Sequence, residues 1–291
     1  MLSFSSFNDL ELLYSFYLKF VSETLLYFRN FALYISLWVL GYLVICCMVY
    51  RRYARRLPTR TRGALRAKRV LIVVAHPDDE CMFFGPTIFR LCEQGADVYI
   101  LCLSNGNYEG KGNMRRQELW SACHELGVPE QNICLITDTR LQDSPKLQWP
   151  VPVISKLIQH ELEALEIDTL VTFDRGGVSS HPNHSAIFYA VAYMFVEKIL
   201  PKNCTVYTLD TVNVIRKYIA FLDIPLSFVL SSKRYFLRWT ESSRVVRAMK
   251  RHRSQMVWFR YLYVFFSRYM VINTLRRISL ADIELELDVD D

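Results

Sequence analysis

The stretch VVAHPDDECMFF, residues 73–84, passes from an apolar run straight into one histidine and three acids. Pro77 fixes a turn after His76, which brings His76 and Asp79 to a common side and leaves the Asp78 carboxylate pointing elsewhere: two metal ligands and one free carboxylate. A zinc ion that does chemistry takes three protein ligands of the histidine and carboxylate kind and keeps a fourth position for water. The third ligand is sought in H-P-N-H, where His181 and His184 stand three residues apart at a helix start and can face one point. His184 is the expected ligand, and His181 is free for another role. H-P-D-D-E alone would also suit a helix N-terminus whose acids favour the dipole. Two histidine-bearing clusters at the ends of different strands are hard to explain that way.

The elements that must position these clusters are legible as short β-branched runs. They are VLIVVA from Val70, DVYILCL from Asp97, NICLITD from Asn132, DTLVTFD from Asp168 and TVYTLD from Thr205. Helical patterns lie between them near 84–95, 114–126, 152–164 and 184–198. Strands apolar on both faces and separated by amphipathic helices predict a doubly wound, mostly parallel, Rossmann-like α/β sheet with helices on both faces. In such sheets sites form beyond the carboxyl ends of the strands. AHPDDE, SNGNYEGKGN, DTRLQDSP and DRGGVSSHPNH all fall at that edge. No G-x-G-x-x-G follows the first strand, and the acids there would repel a pyrophosphate, which excludes a dinucleotide site.

The chain has 291 residues, of which 52% are hydrophobic and 14% aromatic. Residues 31–50, FALYISLWVLGYLVICCMVY, carry no charge and are long enough for one transmembrane helix. Arg51, Arg52, Arg55 and Arg56 follow in place of a small-residue cleavage site, so the span is an anchor and not a signal peptide. The basic flank predicts a short lumenal segment over 1–30, a juxtamembrane linker over 51–69 and a cytoplasmic catalytic domain over 70–240. Residues 241–280 form an aromatic and basic segment, either packed on the domain or lying in the membrane interface, and 281–291 an acidic, frayed tail. The net charge of +6 sits largely in the linker, which suits anionic lipid headgroups and leaves no stripe for nucleic acid. The eight cysteines form no C-x-x-C and argue against both disulfides and a thiolate zinc site; Cys46 and Cys47 are either acylated or ordinary packed residues. The sequons at Asn183 and Asn203 read as chance matches.

AHPDDE, GNMRRQEL, DSP, TFDRGGVSSHPNH, VNVIRKY and HRSQMVWFRYLYVFFSRYM together resemble the PIG-L branch of the LmbE-like metal-dependent deacetylase family, over residues 69 to about 274. The resemblance implies zinc, or another divalent metal, on His76, Asp79 and His184, with Asp78 as general base and a protonated His181 steadying the oxyanion. It implies de-N-acetylation of N-acetylglucosaminyl-phosphatidylinositol to glucosaminyl-phosphatidylinositol plus acetate, the second step of GPI-anchor biosynthesis, in a single-pass protein of the endoplasmic reticulum membrane. Arg115 matches an arginine that contacts substrate hydroxyls; paired with Glu118 it would be an ordinary helix residue. Asp143 and Asp174 would bond sugar hydroxyls or hold a ligand histidine. Asn105 begins a glycine-rich loop that either covers the sugar or is plain surface. His124 and His160 are expected to be structural or solvated, and the HRSQ match leaves His252 open. The alternatives are a family deacetylase acting on another N-acetylated amino sugar and a catalytically silent membrane scaffold.

Overall fold

The computed structural model describes residues 7–54, 65, 67–144 and 147–288. Most of the expected basic linker, at 55–64 and 66, lies outside the described residues. The chain divides into two compact units, Met1–Arg51 and Arg52–Asp291.

The described residues of the first unit lie in one helix, α1 (Phe7–Ala54), of 48 residues. It starts far earlier than residue 31, because nothing between 7 and 54 interrupts it: there is no proline, and Gly41 is the only glycine. The segment expected as a short lumenal N-terminus is therefore helical from Phe7. Ser15, Ser22, Thr24 and Ser36 donate their hydroxyls to carbonyls three or four residues earlier, which satisfies them without water. The large apolar side chains stand exposed, Trp38 by 82%. Among the described residues this is the one helix long and apolar enough to cross a membrane, with a mean hydropathy of 2.3 in its best window.

The second unit opens with β1 (Arg69–Val74), α2 (Asp79–Met82), α3 (Gly85–Glu93), β2 (Asp97–Cys102), α4 (Gly112–Leu126) and β3 (Ile133–Leu135). It continues with α5 (Val151–Ala164), β4 (Thr169–Phe173), the kinked turn α6 (Gly177–Ser180), α7 (Pro182–Val196) and β5 (Thr205–Leu209). The remainder is α8 (Val214–Lys217), α9 (Ile224–Leu230), β6 (Lys233–Phe236), α10 (Trp239–Arg251), α11 (Trp258–Phe266), β7 (Ile272–Arg277) and α12 (Leu280–Asp288). The strand order is β3-β2-β1-β4-β5-β7-β6. The first five are parallel, β1 lying between β2 and β4 with Ile72 opposite Ile100 and Val171. The order reverses between β1 and β4, and that switch point is where a crevice opens at the carboxyl ends. Val70 to Val74 and Thr169 to Phe173 are buried throughout, as strands covered on both faces must be. α5 packs with α7, while α3, α4 and α10 pack together.

Three features past residue 230 differ from expectation. β6 and β7 extend the sheet, with β7 antiparallel to both β5 and β6. The sheet continues past residue 240, since the segment over 241–280, expected either to pack on the domain or to lie in the membrane interface, supplies an interior strand. The acidic tail is also not wholly frayed, because α12 buries Ile283. β7 escapes a hydropathy reading because it carries Asn273 and Thr274 at buried positions. Asn273 is satisfied there: its Oδ1 accepts from the Thr87 amide at 3.1 Å and the Thr87 hydroxyl at 2.8 Å, and its Nδ2 donates to the Phe83 carbonyl at 2.8 Å. Asn273→Ala leaves those groups unpaired in the core and is expected to destabilise the protein by about 2–3 kcal/mol. Thermal unfolding of the detergent-solubilised chain should show a clear fall in Tm; an unchanged Tm contradicts this.

Candidate metal centre and active site

Beyond β1 the chain turns so that the Asp79 carboxylate caps it: Asp79 Oδ2 accepts from the amides of Ala75 at 3.1 Å and His76 at 2.9 Å. Asp78, between them, has φ 122°, a backbone conformation that an L-residue adopts only under constraint. The constraint is local: the Asp78 amide donates to Glu80 Oε2 at 3.0 Å, and its carbonyl accepts from Cys81 and Met82.

Beyond β4 the Asp174 carboxylate accepts from the amide and hydroxyl of Thr211 and from the Gly177 amide. Gly177 has φ 53°, and its carbonyl takes the His184 Nδ1 proton at 2.9 Å. The His184 ring also stacks on Phe173, with centroids 4.1 Å apart and planes at 2°. Its Nε2 is thereby aimed at Asp79 Oδ2, 3.3 Å away, and makes no hydrogen bond. His76 Nε2 faces Asp143 Oδ1 at 3.2 Å and Asn183 Nδ2 at 3.0 Å, which leaves Nδ1, 3.7 Å from Asp79 Oδ2, on the side shared with His184.

The donor atoms of His76, Asp79 and His184, all buried, lie within 4.8 Å of one another. Burial brings the His76 pKa down to about 3, so its ring is neutral. For Asp79 burial acts upward, but His184, His76 and the amide donors outweigh it and hold the carboxyl well below the usual range. For His184 burial acts downward and Asp79 prevails, raising it. Two imidazoles whose remaining nitrogens are held elsewhere, one carboxylate and an orphaned Nε2 form the donor set a divalent cation satisfies. Two other triads of donors exist among the described residues. His76, Asp143 and His181 would compete for the same His76; Glu80, Cys81 and His252 already satisfy one another, Glu80 Oε1 accepting from His252 Nε2 at 2.6 Å and Cys81 Sγ at 3.0 Å.

Asp78 faces a cavity of about 660 Å³ that also reaches the three donors. Its Oδ1 lies 3.6 Å from Arg115 and its Oδ2 3.0 Å from Arg260. Burial pushes its pKa up, with Arg260 opposing, Asp79 adding and Arg115 opposing, to about 6. A carboxylate there is a base poised near neutrality. His181, half-buried on the same cavity, accepts from the Asn183 amide through Nδ1 at 3.3 Å. Burial and the neighbouring His184 lower its pKa, which acts against the protonated ring that the resemblance implies; because Nδ1 accepts from the Asn183 amide, Nε2 is the nitrogen left to donate.

Arg115 and Asp143 line the cavity and are bonded to each other at 3.2 Å. Arg115 also donates to the carbonyls of Gly106 and Pro77, so it braces the turn bearing Asp78 instead of pairing with Glu118. Asp174 is not among the cavity-lining residues; its bonds fasten the β4–α7 loop, and it supports His184 only through Gly177. Asn105 is not among them either, its side chain packing against Gly112 at the start of α4. Asn183 is fully buried against His76, which leaves no room for a glycan. His252, which the HRSQ match left open, is fully buried on Glu80. Asn183, Arg260 and Lys217 escaped the sequence reading: the first looked like motif filler, the second like an interfacial arginine, and VNVIRKY offered no chemical spacing.

Residues 71–195, which hold both histidine clusters, match the family described as PIG-L: GlcNAc-PI de-N-acetylase. The N-acetylglucosaminyl-phosphatidylinositol de-N-acetylase of Bos taurus is 46% identical over 209 residues, 71% of this chain and 82% of that one. The chain belongs to the PIG-L family. A Dictyostelium discoideum relative named "Probable N-acetylglucosaminyl-phosphatidylinositol de-N-acetylase" is 36% identical over 75% of this chain and 96% of its own. The N,N'-diacetylchitobiose deacetylase of Pyrococcus horikoshii shares the fold, with a TM-score of 0.54 at 19% identity over 74% of this chain and 85% of that one.

In this PIG-L chain Gly177 is where backbone geometry sets the orientation of His184. A Cβ there would meet His184 Cβ at 2.8 Å, on a backbone with positive φ. Gly177→Ala is expected to turn the imidazole away and weaken divalent-metal binding at least tenfold, read by calorimetric titration of the purified chain. Unchanged affinity contradicts the placement of His184.

Proposed function

We propose that this chain removes the acetyl group of N-acetylglucosaminyl-phosphatidylinositol, releasing glucosaminyl-phosphatidylinositol and acetate as a step of GPI-anchor biosynthesis. A zinc ion, or another divalent metal that accepts the same donors, is held by His76, Asp79 and His184. The observation that carries the reading is the convergence of three buried donors beside a separate, strained carboxylate at one cavity floor.

When bound, the cation supplies Lewis-acid polarisation and acidifies water. Asp78 takes the proton of the attacking water as its oxygen adds to the acetamide carbon. His181 Nε2–H donates to the oxygen on which charge develops, a contact of a kind that contributes about 3–4 kcal/mol. The proton held by Asp78 then passes to the sugar nitrogen as the C–N bond breaks, so that acetate and the amine leave. Arg115 and Asp143 offer the sugar and inositol hydroxyls a cation and an acceptor at the wall.

A glycolipid suits the opposite wall. α11 places Phe259, Leu262, Tyr263 and Phe266 on the cavity, and Trp258 and Phe265 remain 74% exposed beside it. Such a face belongs in a headgroup layer, with α1 as anchor, the catalytic unit in the cytoplasm and the endoplasmic reticulum as the membrane. Tethering to the surface that holds the substrate raises its effective concentration without a new contact.

The test is acetate release from N-acetylglucosaminyl-phosphatidylinositol by the purified chain in detergent. Asp78→Asn should keep its metal and lose at least a hundredfold in turnover, whereas His184→Ala should lose both metal and turnover. Normal turnover in either variant refutes the mechanism.

A further inference from the structure

The segment VNVIRKY, residues 212–218, resembles the family yet takes no part in the chemistry above. Its placement is firm. Asn213 caps α8, its Oδ1 accepting from the Arg216 amide at 3.0 Å. Arg216 is spent on structure: it donates to both oxygens of the fully buried Asp223, at 2.7 and 3.1 Å, and to the Ser227 hydroxyl at 3.2 Å. Asp223 in turn meets Arg268 Nε at 2.7 Å. These bonds hold α8 so that the next two residues, Lys217 and Tyr218, face the cavity.

Three cationic side chains reach that cavity among the described residues, and two are compensated. Arg115 meets Asp143 and Asp78, and Arg260 meets Asp78. Lys217 is half-buried, and its ammonium donates to the Val178 carbonyl at 3.2 Å and lies 5.7 Å from the Tyr218 ring centroid. No carboxylate forms an ion pair with it among the described residues. Burial lowers its pKa, and no acid acts in the other direction. An ammonium taken partly out of water without a counter-ion is costly, and an arriving anion recovers that cost.

An acetamido sugar and an inositol ring are neutral and need no such group. Within the substrate class proposed above, the one anion is the phosphodiester between inositol and glycerol. We propose that Lys217 is the phosphodiester subsite of this cavity and sets the preference for a phospholipid over a neutral amino sugar; this rests on the reaction proposed above. The amine bonds the carbonyl of Val178, next to the Gly177 that fixes His184, so the subsite lies on the His181 side of the cavity. Tyr218 and the aromatic face of α11 border the same opening, where the glycerol and acyl chains would leave.

The experiment uses the full chain in neutral detergent and two water-soluble substrates, N-acetylglucosaminyl-inositol and the same molecule bearing a phosphoglycerol group. Lys217→Gln should raise KM for the phosphorylated substrate about tenfold or more, a factor at least fivefold larger than its effect on the phosphate-free one, and Lys217→Arg should restore most of the difference. Equal losses on both substrates overturn the subsite and leave the reaction standing. A difference that appears only when anionic phospholipid vesicles are added assigns Lys217 to the membrane surface and also overturns it. No turnover of either substrate, nor of the intact phospholipid, by the unaltered chain removes the reaction and the subsite together.

Discussion

The structure is organised around one carboxylate oxygen. Asp79 Oδ2 accepts two backbone amides from the end of β1 and faces two imidazoles, one from the same turn and one from α7. Each histidine has its other ring nitrogen occupied, by Asp143 and Asn183 on one side and by the Gly177 carbonyl on the other. In an apolar interior such a cluster of lone pairs is stable when a cation joins it. The switch point of the sheet makes the meeting possible, because β1 and β4 are neighbours whose following loops diverge to opposite faces.

The Asp78 turn depends on chain far from it. Glu80 holds the strained Asp78 amide through one oxygen and His252 through the other. His252 ends α10, its Nδ1 meets Gln255 at 3.0 Å, and Glu118 on α4 accepts from the amide and hydroxyl of Ser254. The HRSQ turn is thus a buried clasp between the AHPDDE turn and α4. It also explains why the C-terminal segment folds as part of the domain: removing it would strip the buried Glu118 of its Ser254 and Gln255 donors and the buried Glu80 of His252.

This division shows what the sequence could reveal. The five parallel strands and the two histidine clusters are local patterns: each run is continuous in apolar character, and each motif keeps its donors within four residues. What stayed hidden is non-local. β7 is a strand because Asn273 finds Thr87, and His252 is buried because Glu80 waits for it, partners 186 and 172 positions away. Asp174 and Asn105 kept two readings open for the opposite reason. A polar residue at a strand end or in a glycine-rich loop can face the crevice or brace the loop, and spacing does not distinguish the two. The uncharged core marks only part of α1, which extends back to Phe7 through Asp9, Glu11, Lys19, Glu23 and Arg29; these charges interrupt hydropathy without interrupting a helix.

α11 joins two requirements that are usually separate. Its aromatic residues form the cavity wall, while Arg260, from the same helix, reaches back to Asp78 at 3.0 Å. Burial and Asp79 both disfavour charge on Asp78, and Arg260 is the strongest influence in the other direction, ahead of Arg115. Without that guanidinium the carboxyl's pKa would rise further, toward the protonated form that cannot accept a proton from water. The helix that presents the apolar face therefore also favours the ionised form of Asp78, and any shift of α11 alters the shape of the cavity and the charge at its floor together.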